Sequence, residues 1–175
     1  MKVLCIINDG FEEIETVAPI DILRRAKIDV TIVSNNSNVL GAHKIQFSNI
    51  LNIKDINYKE YDFLLLPGGP QYKQNMNDKT YLEIVKYFAD NKSVAAVCAS
   101  PTILGSLGYL KNKKYTCFPP MNEDFGGNFT ASPAEIDGNI ITGRGAGSSL
   151  EFGFTVLRFL AGPDVENKIK ESMFY

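Results

Sequence analysis

Val3-Leu4-Cys5-Ile6-Ile7, Phe63-Leu64-Leu65-Leu66 and Val94-Ala95-Ala96-Val97 are continuous apolar runs with no polar alternation. Runs of this length and kind belong to strands covered on both faces, and that requirement restricts the fold more than any other feature of the chain. Stretches with helical spacing alternate with them: Glu12–Ala26, Tyr81–Asn91, a helix from Pro101 through Leu107, Ser148–Leu160, and a last one after Gly162-Pro163 that ends near Glu171. Further strands are expected at Val30–Ser34, Lys114–Cys117 and Asn139–Thr142. Val39 to Ile53 is irregular, with period-two fragments around His43–Phe47 and Ile50–Ile53 that suggest a hairpin excursion. Phe118 to Asp137 is loop-rich, broken by Pro119, Pro120, Gly126, Gly127 and Pro133. The alternation predicts an α/β fold, a doubly wound and mainly parallel sheet flanked by helices, with residues 1–175 as a single domain. Ligands of such folds bind beyond the carboxyl ends of the strands. That rule places Asn8–Phe11, Pro67–Pro70 and Cys98–Ser100 on one rim.

Composition excludes several function classes. A net charge of −2 with both signs dispersed leaves no basic face for nucleic acid, and Lys111-Asn112-Lys113-Lys114 reads as a solvated turn. The apolar N-terminal stretch is too brief for a signal peptide, and no stretch approaches membrane length. Three cysteines, odd in number and far apart, argue against a disulfide framework and fit a reducing cytoplasm. The sequons at Asn35, Asn91 and Asn128 then read as chance matches.

Cys98 is the residue with the most chemistry to offer. It ends a buried strand and precedes Ala99-Ser100-Pro101, where Ser100 reads as an N-cap and Pro101 as the first helical residue. A thiol at such a corner faces free backbone N–H groups and the positive end of a helix, both of which favour thiolate. The pattern is that of a nucleophile elbow with sulfur in place of the hydroxyl. An ordinary buried cysteine at a strand end fits the same spacing. Glu15 shares a helix face with Ala18, Pro19, Ile22 and Ala26, so it is expected to point inward, with its pKa raised, able to hold or move a proton. Glu12 and Glu13 read as surface carboxylates serving the helix start. Pro67-Gly68-Gly69-Pro70 offers exposed amides which, with that of Ala99, suit an oxyanion hole facing Cys98. Gly68, Ser100 and Phe118 are candidate lining residues. The Gly143–Ser149 loop lacks the spacing of a phosphate-binding motif and reads as a structural turn. His43, the single histidine, reads as a surface residue away from the rim, so no Cys-His pair is expected. No metal site and no cofactor are expected either.

These residues resemble the DJ-1/PfpI family of the class I glutamine amidotransferase-like superfamily. The resemblance is carried by Glu12-Glu13-Ile14-Glu15-Thr16-Val17 with Pro19, Asp21 and Arg24-Arg25-Ala26, then by Leu66-Pro67-Gly68-Gly69, Val97-Cys98-Ala99-Ser100-Pro101, and Thr142-Gly143-Arg144-Gly145 with Gly147-Ser148 and Glu151-Phe152. It implies a flavodoxin-like sandwich, a cytoplasmic homodimer, Cys98 as an oxidation-prone nucleophile, Glu15 as its protonated partner, and oxyanion donors from Gly69 and Ala99. It also implies either cofactor-free turnover of α-oxoaldehydes or glycated proteins and nucleotides (a glyoxalase or deglycase), or a redox-sensing chaperone. One departure stands out. Where the family's DJ-1 branch carries a histidine in a Thr-Thr-His-Pro stretch, this chain has Thr116-Cys117-Phe118-Pro119, as the YajL-like branch does, so a protease-like Cys-His mechanism has no support.

Overall fold

A computed structural model describes residues 1–175. In chain order its elements begin β1 (Lys2–Ile6), α1 (Glu13–Arg25), β2 (Asp29–Ser34), β3 (Val39–Leu40), β4 (Gln46–Phe47), β5 (Leu51–Asn52) and β6 (Phe63–Leu66). There follow α2 (Tyr72–Asn75), α3 (Lys79–Asn91), β7 (Ser93–Val97), α4 (Pro101–Ser106), β8 (Lys114–Tyr115) and β9 (Asn128–Phe129). The chain closes with β10 (Ala134–Asp137), β11 (Ile140–Gly143), α5 (Ser149–Ala161) and α6 (Pro163–Ser172).

Seven strands form one sheet in the order β10-β11-β7-β6-β1-β2-β5. Every pairing in it is parallel except β10 with β11. The apolar runs lie at its centre, and their alternate residues serve opposite faces. Leu4, Ile6, Leu64, Leu66, Val94 and Ala96 pack with Tyr81, Ile84, Val85 and Phe88 of α3 on one side. Val3, Cys5, Ile7, Leu65, Ala95 and Val97 pack with Ile22 and Leu23 of α1 and Phe152, Val156 and Leu157 of α5 on the other. Burial on both faces is why no polar alternation was visible in these strands. Helix α1 runs through Pro19 without a break and lies against α5 at Gly153, where a Cβ would come within 2.7 Å of Ile22 and 3.0 Å of Pro19.

Two differences from the sequence reading concern the edges. The irregular stretch holds a hairpin, but its arms are β3 and β4 rather than the fragments at His43–Phe47 and Ile50–Ile53, and β5, from the second fragment, joins the sheet beside β2. The loop-rich stretch contains two strands. One is β9, which pairs with β8 away from the main sheet, and the other is β10, the antiparallel edge. Strands of two to four residues give too short a periodicity to read. No helix is long and apolar enough to cross a membrane.

Candidate active site

The parallel strands bring their carboxyl ends to one rim, and Cys98 stands on it directly after β7. Its φ is +62°, in the left-handed region, which costs a residue with a side chain about 1–3 kcal/mol. Hydrogen bonds hold it there: the Cys98 N–H donates to the Gly143 carbonyl at 2.9 Å, and its own carbonyl accepts from the Phe118 N–H at 2.8 Å. This sharp strand-to-helix turn is the geometry of a nucleophile elbow. The expected cap is not formed. Ser100 already has helical angles, φ −66° and ψ −30°, whereas a capping serine needs extended backbone to reach the first-turn amides. Its hydroxyl instead donates to the Pro67 carbonyl at 2.7 Å, tying the elbow to the neighbouring strand end. Ser100 is fully buried and lines neither cavity at the sulfur.

Glu15 is fully buried, on the face the helical spacing predicted. Its Oε2 accepts the Gly68 N–H at 3.0 Å, while Oε1, buried as well, has no directed hydrogen bond. Gly68 explains the need for glycine here. A Cβ on it would lie 2.5 Å from Glu15 Oε2 and 2.7 Å from Cys98 Cβ, so the carboxyl and the cysteine meet over bare backbone. Gly145 covers them from above, since a Cβ there would stand 3.8 Å from Cys98 Sγ and 4.0 Å from Glu15 Oε1. Gly69, with φ +89°, turns the chain tightly against Gly10 and Glu12.

The electrostatics follow from this crowding. Burial pushes the Glu15 carboxyl up to about 7, against the pull of Cys98 and of the Gly68 and Ala146 amides, with the Glu12 charge adding to the rise. Burial also pushes the Cys98 thiol up to about 12, and the Glu15 charge is the second cause. The amides of Ala99 and Gly69 pull it down. Helix α4, with only six residues, adds little to the pull toward thiolate. An ionised Glu15 opposes that pull, and a neutral Glu15 does not. Two such groups cannot both carry charge cheaply, so they titrate as a pair that shares one proton.

His43 is a second correction. It was placed away from the rim, yet the β3–β4 turn brings it to the mouth of the site, with Nδ1 2.9 Å from Glu13 Oε2 and 3.8 Å from Glu12 Oε1. Glu12 and Glu13 are buried, not surface, carboxylates. Glu12 caps α1 by accepting the Glu15 N–H at 2.7 Å, and Glu13 accepts the backbone N–H groups of His43 and Ile45. Ligand atoms of Glu12, Glu13 and His43 lie within 4.8 Å of one another, close enough to converge on a cation, although both carboxylates are already engaged by protein donors. A separation of 30 residues hid this grouping from the sequence.

Two cavities meet at the sulfur. One, of about 570 Å³, is lined by Glu12, Glu15, His43, Phe118, Pro119 and Arg144 together with residues 145–148. The other, of about 360 Å³, is lined by Gly69, Pro70, Tyr72, Lys73, Ala99, Phe118 and Met121. Phe118, a candidate lining residue, borders both. The loop at Gly145–Ser148, read from sequence as a structural turn, is one: the Ser148 hydroxyl donates to the Gly145 carbonyl at 2.9 Å. It is also a wall of the site, and its glycine density was the only hint of that.

Comparison with known proteins finds similar sequences and a similar fold. A model described as the DJ-1/PfpI family matches residues 1–159. The Parkinson disease protein 7 homolog of Danio rerio is 33% identical over 178 residues, covering 97% of this chain and 94% of that protein. A deglycase of Thermococcus kodakarensis is 31% identical over 153 residues, covering 84% of this chain and 92% of that protein. Among solved structures, an oxidised form of Toxoplasma gondii DJ-1 superposes with a TM-score of 0.89 at 27% identity, over 99% of this chain and 98% of that one.

Proposed function

Because the chain belongs to the DJ-1/PfpI family, we propose that it is a cofactor-independent enzyme of carbonyl-stress defence. It acts as a glyoxalase or deglycase on α-oxoaldehydes or the glycation adducts they leave on proteins and nucleotides. The observation that carries this reading is the buried, undirected Oε1 of Glu15 facing the sulfur of a strained Cys98. Relatives with deglycase in their names support the substrate class.

The reactive form of the pair is the one with the proton on Glu15 and the charge on Cys98. Its thiolate adds to the aldehyde carbon, the carbonyl π pair moves to oxygen, and the amides of Gly69 and Ala99 receive that oxyanion. Glu15 gives up its proton to the oxygen and becomes the carboxylate base for later steps. The test is methylglyoxal consumption by the wild type and by Cys98→Ser. Loss of turnover in the variant supports the reading, and equal rates overturn it.

A second reading has its own observation. Cys98 is the one cysteine of three that is not fully buried, so oxidation to a sulfinic acid held by a neutral Glu15 would signal rather than turn over substrate. Mass spectrometry after mild peroxide separates this reading out: Cys98 must be modified before Cys5 and Cys117.

The protein is further proposed to work as a cytoplasmic homodimer. Ile14 and Val17 project from α1 at 56% and 46% exposure, an apolar stripe beside the site that a second copy would cover. Sedimentation of Val17→Lys at half the wild-type mass is the expected result.

A further inference from the structure

None of the steps above uses His43, although it lines the same 570 Å³ cavity as Cys98. We propose that His43, aligned by Glu13, is the acid–base catalyst at the mouth of this cavity, exchanging protons with the two oxygens of an α-oxoaldehyde held as the Cys98 adduct. The proposal rests on the enzymatic reading given above.

The placement is built, not incidental. Glu13 is buried at 5% exposure and accepts both the His43 backbone N–H, at 2.6 Å, and its ring Nδ1, at 2.9 Å. A side chain at Gly41 would run into the same carboxylate, and the Ala42 N–H is fixed to the Phe11 carbonyl at 2.8 Å. The turn that carries His43 is thus docked on the start of α1. With Nδ1–H given to Glu13, Nε2 is left for a ligand, as in other carboxylate-oriented histidines. The side chain is 72% exposed, so Nε2 stays open to substrate and water. Glu13, and Glu12 beside it, raise the pKa of His43 and favour imidazolium against the pull of burial; Arg144 is the other charged group lining the same cavity.

The chemistry then balances. The Glu15 carboxylate takes the C–H proton of the hemithioacetal carbon, and that electron pair forms a C=C bond to the neighbouring ketone carbon. The ketone π pair moves to its oxygen, which takes the Nε2 proton of His43. Neutral His43 next removes the proton from the first hydroxyl. Its O–H pair closes a C=O bond, and the C=C pair takes the proton now on Glu15. The aldehyde carbon is oxidised to a thioester as the ketone carbon is reduced to an alcohol. Water hydrolyses the thioester, returning one proton to the Cys98–Glu15 pair and releasing one with the hydroxy acid.

His43→Gln should lower methylglyoxal turnover by about 10²-fold, the usual size of a lost proton-transfer group. Iodoacetamide alkylation of Cys98, which needs no such transfer, should stay within about threefold and also reports that the variant is folded. In the wild type, turnover should fall as pH rises through the His43 pKa, which lies above its ordinary value. This alkaline limb should vanish in His43→Gln and move to lower pH in Glu13→Gln. Turnover of His43→Gln within about twofold of wild type, or an alkaline limb that survives it, overturns the proposal while Cys98→Ser still upholds the enzymatic reading. A wild type with no Cys98-dependent turnover removes both.

Discussion

Cys98 and Cys117 each stand within two residues of a strand's end, and burial raises the pKa of both thiols, to about 12 and about 11. Cys98 is the less buried of the two, yet the thiol pKa values alone do not mark it as the more reactive. At Cys117 burial is the whole cause of the rise, with no carboxyl contributing to it. At Cys98 the second cause is the charge of Glu15, a group that itself takes a proton near neutrality, while two amides already pull toward thiolate. One corner can be made reactive by moving a single proton; the other cannot. The contrast teaches that reactivity in this molecule belongs to the neighbours of a sulfur rather than to the sulfur.

The sharpest way to break the contrast is to exchange its partners one at a time. Cys98→Ser should bring methylglyoxal turnover to the buffer rate, and Cys117→Ser should leave it within about twofold, because only the first removes a nucleophile. Next comes alkylation against pH. Cys98 should gain reactivity through about 7, where the pair gives up its first proton, and then level off, while Cys117 stays slow until near 11. Glu15→Gln should move the Cys98 step upward toward the ordinary thiol range and leave Cys117 where it was. If both sulfurs shift together, or neither does, the pair is not the switch.

Stability carries the same signature. The folded Glu15 pKa of about 7 lies above the ordinary 4.5, so below pH 4.5 the group is neutral folded or unfolded. As pH rises from there to 7, the unfolded chain loses the proton that the folded one keeps, and stability falls, by on the order of 3 kcal/mol in all. Chemical denaturation at pH 5 and pH 8 should show that fall in the wild type and not in Glu15→Gln. A wild type equally stable at both would mean that Glu15 is solvated.

How much of this was legible in the sequence depended on the range over which each signal acts. The central strands were readable because double burial imposes apolarity on every residue of β6 and on all but the first residue of β1 and β7. Glu15 was readable from its helix face, and Cys98 from the strand-to-helix junction. The Ser100 cap failed because its backbone is committed to the elbow, and a tertiary bond to Pro67 outcompeted the local one. His43 was missed for a related reason. Its partners lie 30 residues away on α1, and the hairpin that delivers it has strands of two residues, with no periodicity to mark them. The Gly145–Ser148 wall had a motif-like composition but the wrong spacing, and only the fold shows that it faces the sulfur.

The smallest effect tests the same contrast through hydroxyls instead of sulfurs. Ser100, two residues after Cys98, and Thr116, directly before Cys117, are both fully buried. The Ser100 hydroxyl is satisfied by Pro67, whereas the Thr116 Oγ1 has no partner. Removing a satisfied hydroxyl forfeits a bond, and removing an orphan relieves a desolvation cost. The Pro67 carbonyl would retain the Gln71 Nε2–H at 2.9 Å, so Ser100→Ala should destabilise by only about 1 kcal/mol. Thr116→Val, nearly the same shape, should be neutral or stabilising by up to about 1 kcal/mol. Equal and opposite shifts in denaturation midpoint would place the polar investment at the Cys98 corner. A loss of stability in Thr116→Val would reveal a hydrogen bond at Cys117 and erase the difference between the two.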